Sequence, residues 1–191
     1  MEIFHLFHSK VPLAGPELNY VMTTETPEPK KFLINPELYQ WSGITISSIL
    51  ALSTFCLLIF GASNWYNSLV RPDFGLPLGV LAPFQAISVF LSGFGARIVM
   101  GNVSGNPAVK PARKSYSIWL VVHAVWLLLF AALHWAVFSM AVCVVQWGIG
   151  VFCIQKFFNV DPKAGSKVLL FFLMTTYWML LNGMIISLNN L

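Results

Sequence analysis

The chain has 191 residues, of which 57% are apolar and 9% charged, and its formal net charge is +4. Soluble domains carry roughly 25% charged residues, so water alone cannot solvate this surface. That excludes a cytosolic enzyme, a nucleic-acid binder and a disordered tail, and leaves an integral membrane protein.

Residues 1–41 differ in kind from the rest. They hold Pro12, Pro16, Pro27, Pro29 and Pro36, five Glu and three Lys, with no periodic apolar run. Proline fixes φ and removes a backbone donor, so the segment reads as an extended, extramembrane arm. It has no secretory h-region, and with no Arg and several Glu it is a poor mitochondrial presequence. Two apolar clusters, Ile3 to Phe7 and Phe32 to Ile34, make Phe4, Phe7, Phe32 and Leu33 the residues expected to dock on a partner.

Residues 42–191 form the transmembrane domain. A spanning helix needs about 20 mostly apolar residues. Ile44 to Ala62 is the first such run, and Pro77 to Met100 the second. In the second, Arg97 can snorkel to the headgroups, and Pro83 predicts a kink. Its small residues Ser88, Ser92 and Ala96, beside Gly93 and Gly95, are expected to pack within the molecule. Tyr116 to Phe158 is apolar over 43 residues, roughly 65 Å of helix, which is twice the bilayer and therefore two spans. The reversal falls between Ala132 and Ser139, where His134 and Trp135 suit an interface. Val168 to Leu188 is the last span, which makes five.

Charge tests that count. With five crossings, ten of the eleven Lys and Arg residues share one side and Arg71 stands alone on the other. The positive-inside rule expects such a split from a correct topology. The N-terminus is then on the Lys/Arg-rich side and the C-terminus opposite.

His123 lies mid-span, with Trp119 and Trp126 at i−4 and i+3 on the same helical face. One reading is an axial haem ligand or a proton relay. The other, which the sequence favours, is a neutral His hydrogen-bonded across a helix interface. His134 is about 16 Å further along the axis, too far to share a metal. The acids beyond the arm are Asp73 and Asp161, both placed in loops. No paired carboxylate, nucleophile with its base, P-loop or zinc box is present, so neither a catalytic residue nor a metal site is expected. Cys56, Cys143 and Cys153 read as small buried hydrophobes.

The stretch after the first span reads Trp65-Tyr66-x-x-Leu69-x-Arg71-Pro72-x-Phe74-x-x-Pro77. It resembles the TspO (tryptophan-rich sensory, or translocator) family signature WY-x-x-L-x-K-P-x-W-x-P-P. Pro83 and Gly93 match second-helix positions of that family, Tyr116 and Trp126 the third-helix pattern, and Leu181-Asn182 and Leu188-Asn189 the last. The resemblance covers about residues 43–190 and implies an all-α, five-helix TspO-like bundle. It also implies a ligand pocket at Trp65, Tyr66, Gln85, Val89, Trp119, His123, Trp126, Phe171 and Met174. Several of these depart from the family. A second-helix Trp is Gln85 and a Tyr is Val89; in the third helix a Gln is Trp119 and an Asn is His123; the last-helix P-Y-x-x-W reads Leu170, Phe171 and Met174.

Those exchanges imply a degenerate pocket for the porphyrins and sterols associated with the family. The expectation is a non-catalytic accessory or structural subunit of a larger membrane complex, mitochondrial by its extended arm, with no cofactor. Its partners would be membrane lipids and other subunits, not nucleic acid. The alternative is a TspO-type ligand-binding protein for tetrapyrroles, sterols or lipids, in which His123 and Trp119 reshape the site around a haem, porphyrin or lipid.

Overall fold

The first helix starts at a proline. In a computed structural model that describes residues 36–102 and 106–191, with side chains from Trp41 onward, the helix opens at Pro36. This corrects the extended reading of the arm's last residues. The N–H that proline lacks has no intrahelical acceptor in the first turn, so proline there starts a helix instead of preventing one. Phe4, Phe7, Phe32 and Leu33 lie outside the described residues.

The helix α1 runs through Pro36–Cys56, loosens into a π-helical stretch at Leu57–Ala62 and finishes as Ser63–Ser68. Its spanning part is Trp41–Ser68, and four more spanning helices follow: α2 Leu78–Gly101, α3 Val109–Ala132, α4 Ala136–Val160 and α5 Pro162–Asn189. The expected count of five therefore holds among the described residues. The helices outrun the apolar runs that announced them. Lys110, Arg113 and Lys114 are good helix formers, so α3 begins on them. Trp65 and Tyr66, read as loop, lie in the last turns of α1.

Two reversals are tight. Between α4 and α5 only Asp161 is non-helical, and its Oδ1 accepts from the Lys163 N–H at 2.7 Å while Pro162 fills the first helical position. Between α3 and α4 the chain turns at Leu133–Trp135, inside the expected interval, with His134 in the left-handed region at φ 57°. Pro83 sits within α2 without ending it.

Around the bundle the order is α1, α2, α5, α4, α3. Small residues set the closest approaches. A Cβ on Gly93 would stand 2.8 Å from the Ser47 Cβ, and one on Gly95 would stand 2.8 Å from the Ala164 carbonyl. Ser88, Ser92 and Ala96 are buried along this contact, so the small-residue stripe is intramolecular packing. The ring closes between α1 and α3 where their two π-helical stretches, Leu57–Ala62 and Leu128–Ala132, face each other.

Two apolar clusters fill the bundle. Ala96, Val99, Tyr116, Phe157 and Val168 belong to the one at the Lys/Arg-rich end. Leu58, Tyr66, Leu81, Phe130 and Ile185 belong to the one at the end that carries Arg71. A layer of polar side chains lies between them.

Candidate functional site

Every helix contributes to that layer. Thr54 of α1, Gln85 of α2, His123 of α3, Gln146 of α4 and Thr175 of α5 are all buried. Burial without partners would be costly here, and the hydrogen bonds follow one direction. Thr54 Oγ1 donates to the Leu50 carbonyl at 2.7 Å and Thr175 Oγ1 to the Phe171 carbonyl at 2.9 Å. Each hydroxyl has spent its proton, so each can only accept from its other neighbour. His123 Nε2 lies 3.3 Å from Thr54 Oγ1 and therefore carries the ring proton. His123 Nδ1 is then the acceptor for Gln146 Nε2 at 3.1 Å, and the second Gln146 amide hydrogen goes to Thr175 Oγ1 at 3.2 Å. His123 is thus a neutral side chain bonded across three helices, as the second reading of this residue expected. Both ring nitrogens are engaged, which leaves no lone pair for an axial ligand.

Aromatic rings pack around the layer. Trp119 stacks on Phe171 with centroids 4.3 Å apart. Gly150 makes room for that indole, since a Cβ there would come within 3.0 Å of Trp119 Cζ2. The His123 ring stacks on Trp126 at 5.3 Å, and Trp126 in turn meets Trp178 at 5.1 Å. Among Gln85, His123, Trp126, Cys143, Gln146, Thr175 and Trp178 only narrow interstices remain, with no space that a water molecule can enter. Sites for drug-sized ligands run to roughly 300–1,000 Å³. A tetrapyrrole does not fit among these side chains as they stand. Gln85 Oε1, Gln146 Oε1, Trp126 Nε1 and Trp178 Nε1 are nonetheless buried without a hydrogen-bond partner.

The residues expected in the pocket divide into two groups. Gln85, His123 and Trp126 line these interstices, and Trp119 and Phe171 pack beside them with Val89. Trp65, Tyr66 and Met174 belong instead with the apolar cluster at the Arg71 end. There Trp65 stacks on His134 with centroids 4.9 Å apart, and His134 Nε2 donates to the Gly61 carbonyl at 3.1 Å. Thr54, Cys143, Gln146, Thr175 and Trp178 complete the centre and were not expected. Of these, Gln146 carries a readable signal, because an amide in mid-span needs a partner.

The connection between α1 and α2 is fastened down. Tyr66 O–H donates to the Leu76 carbonyl at 2.9 Å. Tyr177 of α5 accepts from the Leu76 N–H at 3.2 Å and donates to the Phe74 carbonyl at 3.0 Å. The Arg71 guanidinium lies 5.2 Å from the Tyr66 ring centroid. The loop that carries the family likeness is therefore joined by these contacts to the first and the last helix of the bundle.

No curated protein matches the chain. The sequence profile of the TspO/MBR family matches residues 44–188, from within the first half of α1 to the last turn of α5. With five spanning helices and the match covering all of them, the chain belongs to the TspO/MBR family.

Proposed function

We propose that this TspO-type membrane protein is non-catalytic and serves as an accessory subunit of a larger membrane complex, with the mitochondrion as its setting. The observation that carries this reading is the filled interior, in which Trp119 stacks on Phe171 and the centre has no space that a water molecule can enter. A bundle with no room for a large ligand at its centre acts through its outer surfaces, and Phe4, Phe7, Phe32 and Leu33 give the N-terminal arm the residue types for wrapping a partner.

Two measurements test it. Titration of the purified protein with protoporphyrin, followed by Trp fluorescence, is expected to give no saturable quenching at micromolar concentrations. On a native gel the full chain is expected to migrate with a large complex, and a chain lacking residues 1–35 to migrate alone with its five helices folded. Saturable quenching that Gln146→Leu abolishes would overturn the first part. Migration of the intact native protein by itself would overturn the second.

The unpaired indole N–H and amide oxygen groups of the centre favour a second reading, a ligand-binding protein for tetrapyrroles, sterols or lipids. In that case a ligand would have to part Trp126 and Trp178 to reach those groups. The same titration separates the two readings.

A further inference from the structure

Outside the bundle, where α2 and α5 meet near the Lys/Arg-rich end, Leu91, Phe94, Arg97, Ile98 and Lys167 enclose a groove of about 490 Å³. Leu91, Phe94 and Ile98 recur at i, i+3 and i+7, so they form one apolar stripe along α2. Phe90 braces Phe94 edge-on, with ring centroids 5.2 Å apart. From Arg97 to Leu91 the stripe runs about 9 Å along the axis, some two thirds of the ~15 Å hydrocarbon depth of one leaflet.

Two cations stand at the outer end of this stripe. Gly95 lets α5 approach so closely that a Cβ there would sit 3.4 Å from the Lys167 Cβ, which brings Lys167 beside the turn that carries Arg97. The Arg97 guanidinium lies over the Trp41 ring, 4.0 Å from its centroid. A guanidinium held by its face keeps its edge N–H donors for other acceptors. Neither the Arg97 nor the Lys167 side chain has a hydrogen bond or ion pair among the described residues. Asp161, the nearest acid in sequence, has its Oδ1 engaged with the backbone N–H of Lys163.

We propose that this groove holds an anionic phospholipid of the leaflet at the Lys/Arg-rich end. The phosphate lies between Arg97 and Lys167, and an acyl chain follows Leu91, Phe94 and Ile98. The stripe selects a lipid over a free phosphate ion, because a free ion leaves it without an occupant. The paired cations select an anionic headgroup over phosphatidylcholine, whose own quaternary amine would meet them with like charge. Basic recesses between spanning helices on the positively charged side are the places where such headgroups bind.

The test uses the full chain in nanodiscs of mixed phosphatidylcholine and phosphatidylglycerol, followed by native mass spectrometry of the lipids retained after mild extraction. One phosphatidylglycerol per chain is expected, enriched about tenfold over phosphatidylcholine. The R97Q/K167Q variant should lose that enrichment. The K110Q/K114Q variant removes the same charge from the same end and should keep it. Lys167 is exposed, so Lys167→Gln alone leaves the fold intact and should lower the enrichment by itself. Undiminished enrichment in R97Q/K167Q would overturn the proposal, as would equal loss in K110Q/K114Q, which would mean diffuse surface charge. Displacement of the phosphatidylglycerol by inorganic phosphate would also overturn it, by assigning the two cations to a free ion.

Discussion

The Asn189 side chain bonds to both backbone groups of Val70, accepting from its N–H at 2.9 Å and donating to its carbonyl at 2.8 Å. The second Nδ2 hydrogen goes to the Ile185 carbonyl at 2.8 Å, so the amide is rigidly held at the end of α5. A side chain here stands in for a neighbouring strand, and it fixes the start of the α1–α2 loop to a helix 119 residues further along the chain. Such bonds contribute about 0.5–1.5 kcal/mol each. Asn189→Ala should therefore speed hydrogen exchange at the Val70 amide roughly tenfold. The amide of Val89, in mid-membrane, should be unaffected. Equal rates at Val70 in the two proteins would show that the loop is held by other contacts.

The directed chain from Gln146 through His123 to Thr54 makes a coupling prediction. Gln146→Leu strips the donor from His123 Nδ1 and Thr175 Oγ1, and should cost about 1–3 kcal/mol. His123→Leu alone should cost a similar amount, since it leaves a Gln146 hydrogen unused. With both replaced, no group is left asking for the other, and the double variant should be more stable than the sum of the singles by about 0.6–1.7 kcal/mol. Unfolding of the four proteins in one detergent mixture measures this. Strict additivity would mean that the two side chains do not share a bond.

Two glycines should respond in opposite ways to alanine. At Gly61 a Cβ would lie 2.8 Å from the backbone carbonyl of Ala131, which cannot swing aside as a side chain can. Gly61→Ala should destabilise by about 1–3 kcal/mol by prising apart the α1–α3 seam. At Gly148 nothing lies within 4 Å, so Gly148→Ala should be neutral or stabilising by up to about 1 kcal/mol. Thermal unfolding of both variants ranks them, and a reversed order would contradict the seam.

Topology is open to labelling. Arg71 precedes α2, and Arg113 lies in the first turns of α3, so one crossing separates them. Single cysteines at positions 71 and 113, in a chain freed of Cys56, Cys143 and Cys153, should react with an impermeant reagent from opposite faces of sealed vesicles. Reaction of both from one face would remove α2 as a spanning helix.

Residue chemistry announces some of these features and not others. The five spans are visible because a bilayer demands length and apolarity, and Lys/Arg asymmetry checks the count without reference to packing. The reversal at His134 is visible because His and Trp interrupt a run too long for one helix. Helix ends are not, since Lys110, Arg113 and Lys114 favour helix as readily as loop, and Pro36 can open a helix as well as forbid one. At the centre, His123 announces itself as a mid-span titratable group. Its partners Thr54 and Gln146 become apparent only once α1 and α4 are known to flank α3, and ring order is a property of packing. Trp65 matches the family motif by spacing, yet its indole goes to His134 because the end of α1 folds against the α3–α4 turn.

Thr54 and Tyr66 are twelve positions apart in numbering, and both point inward, one to His123 and the other to the Leu76 carbonyl. On an unbroken α-helix twelve residues leave two side chains about 120° out of phase, and one of them would face lipid. The π-helical stretch between them absorbs one residue and brings the pair back to within about 20°. The surplus residue is therefore a phase correction. Removing one residue from 57–62 would let the stretch close into regular α-helix and keep the pair in phase, whereas adding one would rotate the far end of α1 against the near end by about 100°. After such an insertion either the hydroxyl of Thr54 or the phenol of Tyr66 would lose its partner, so this stretch accepts a shorter chain but not a longer one.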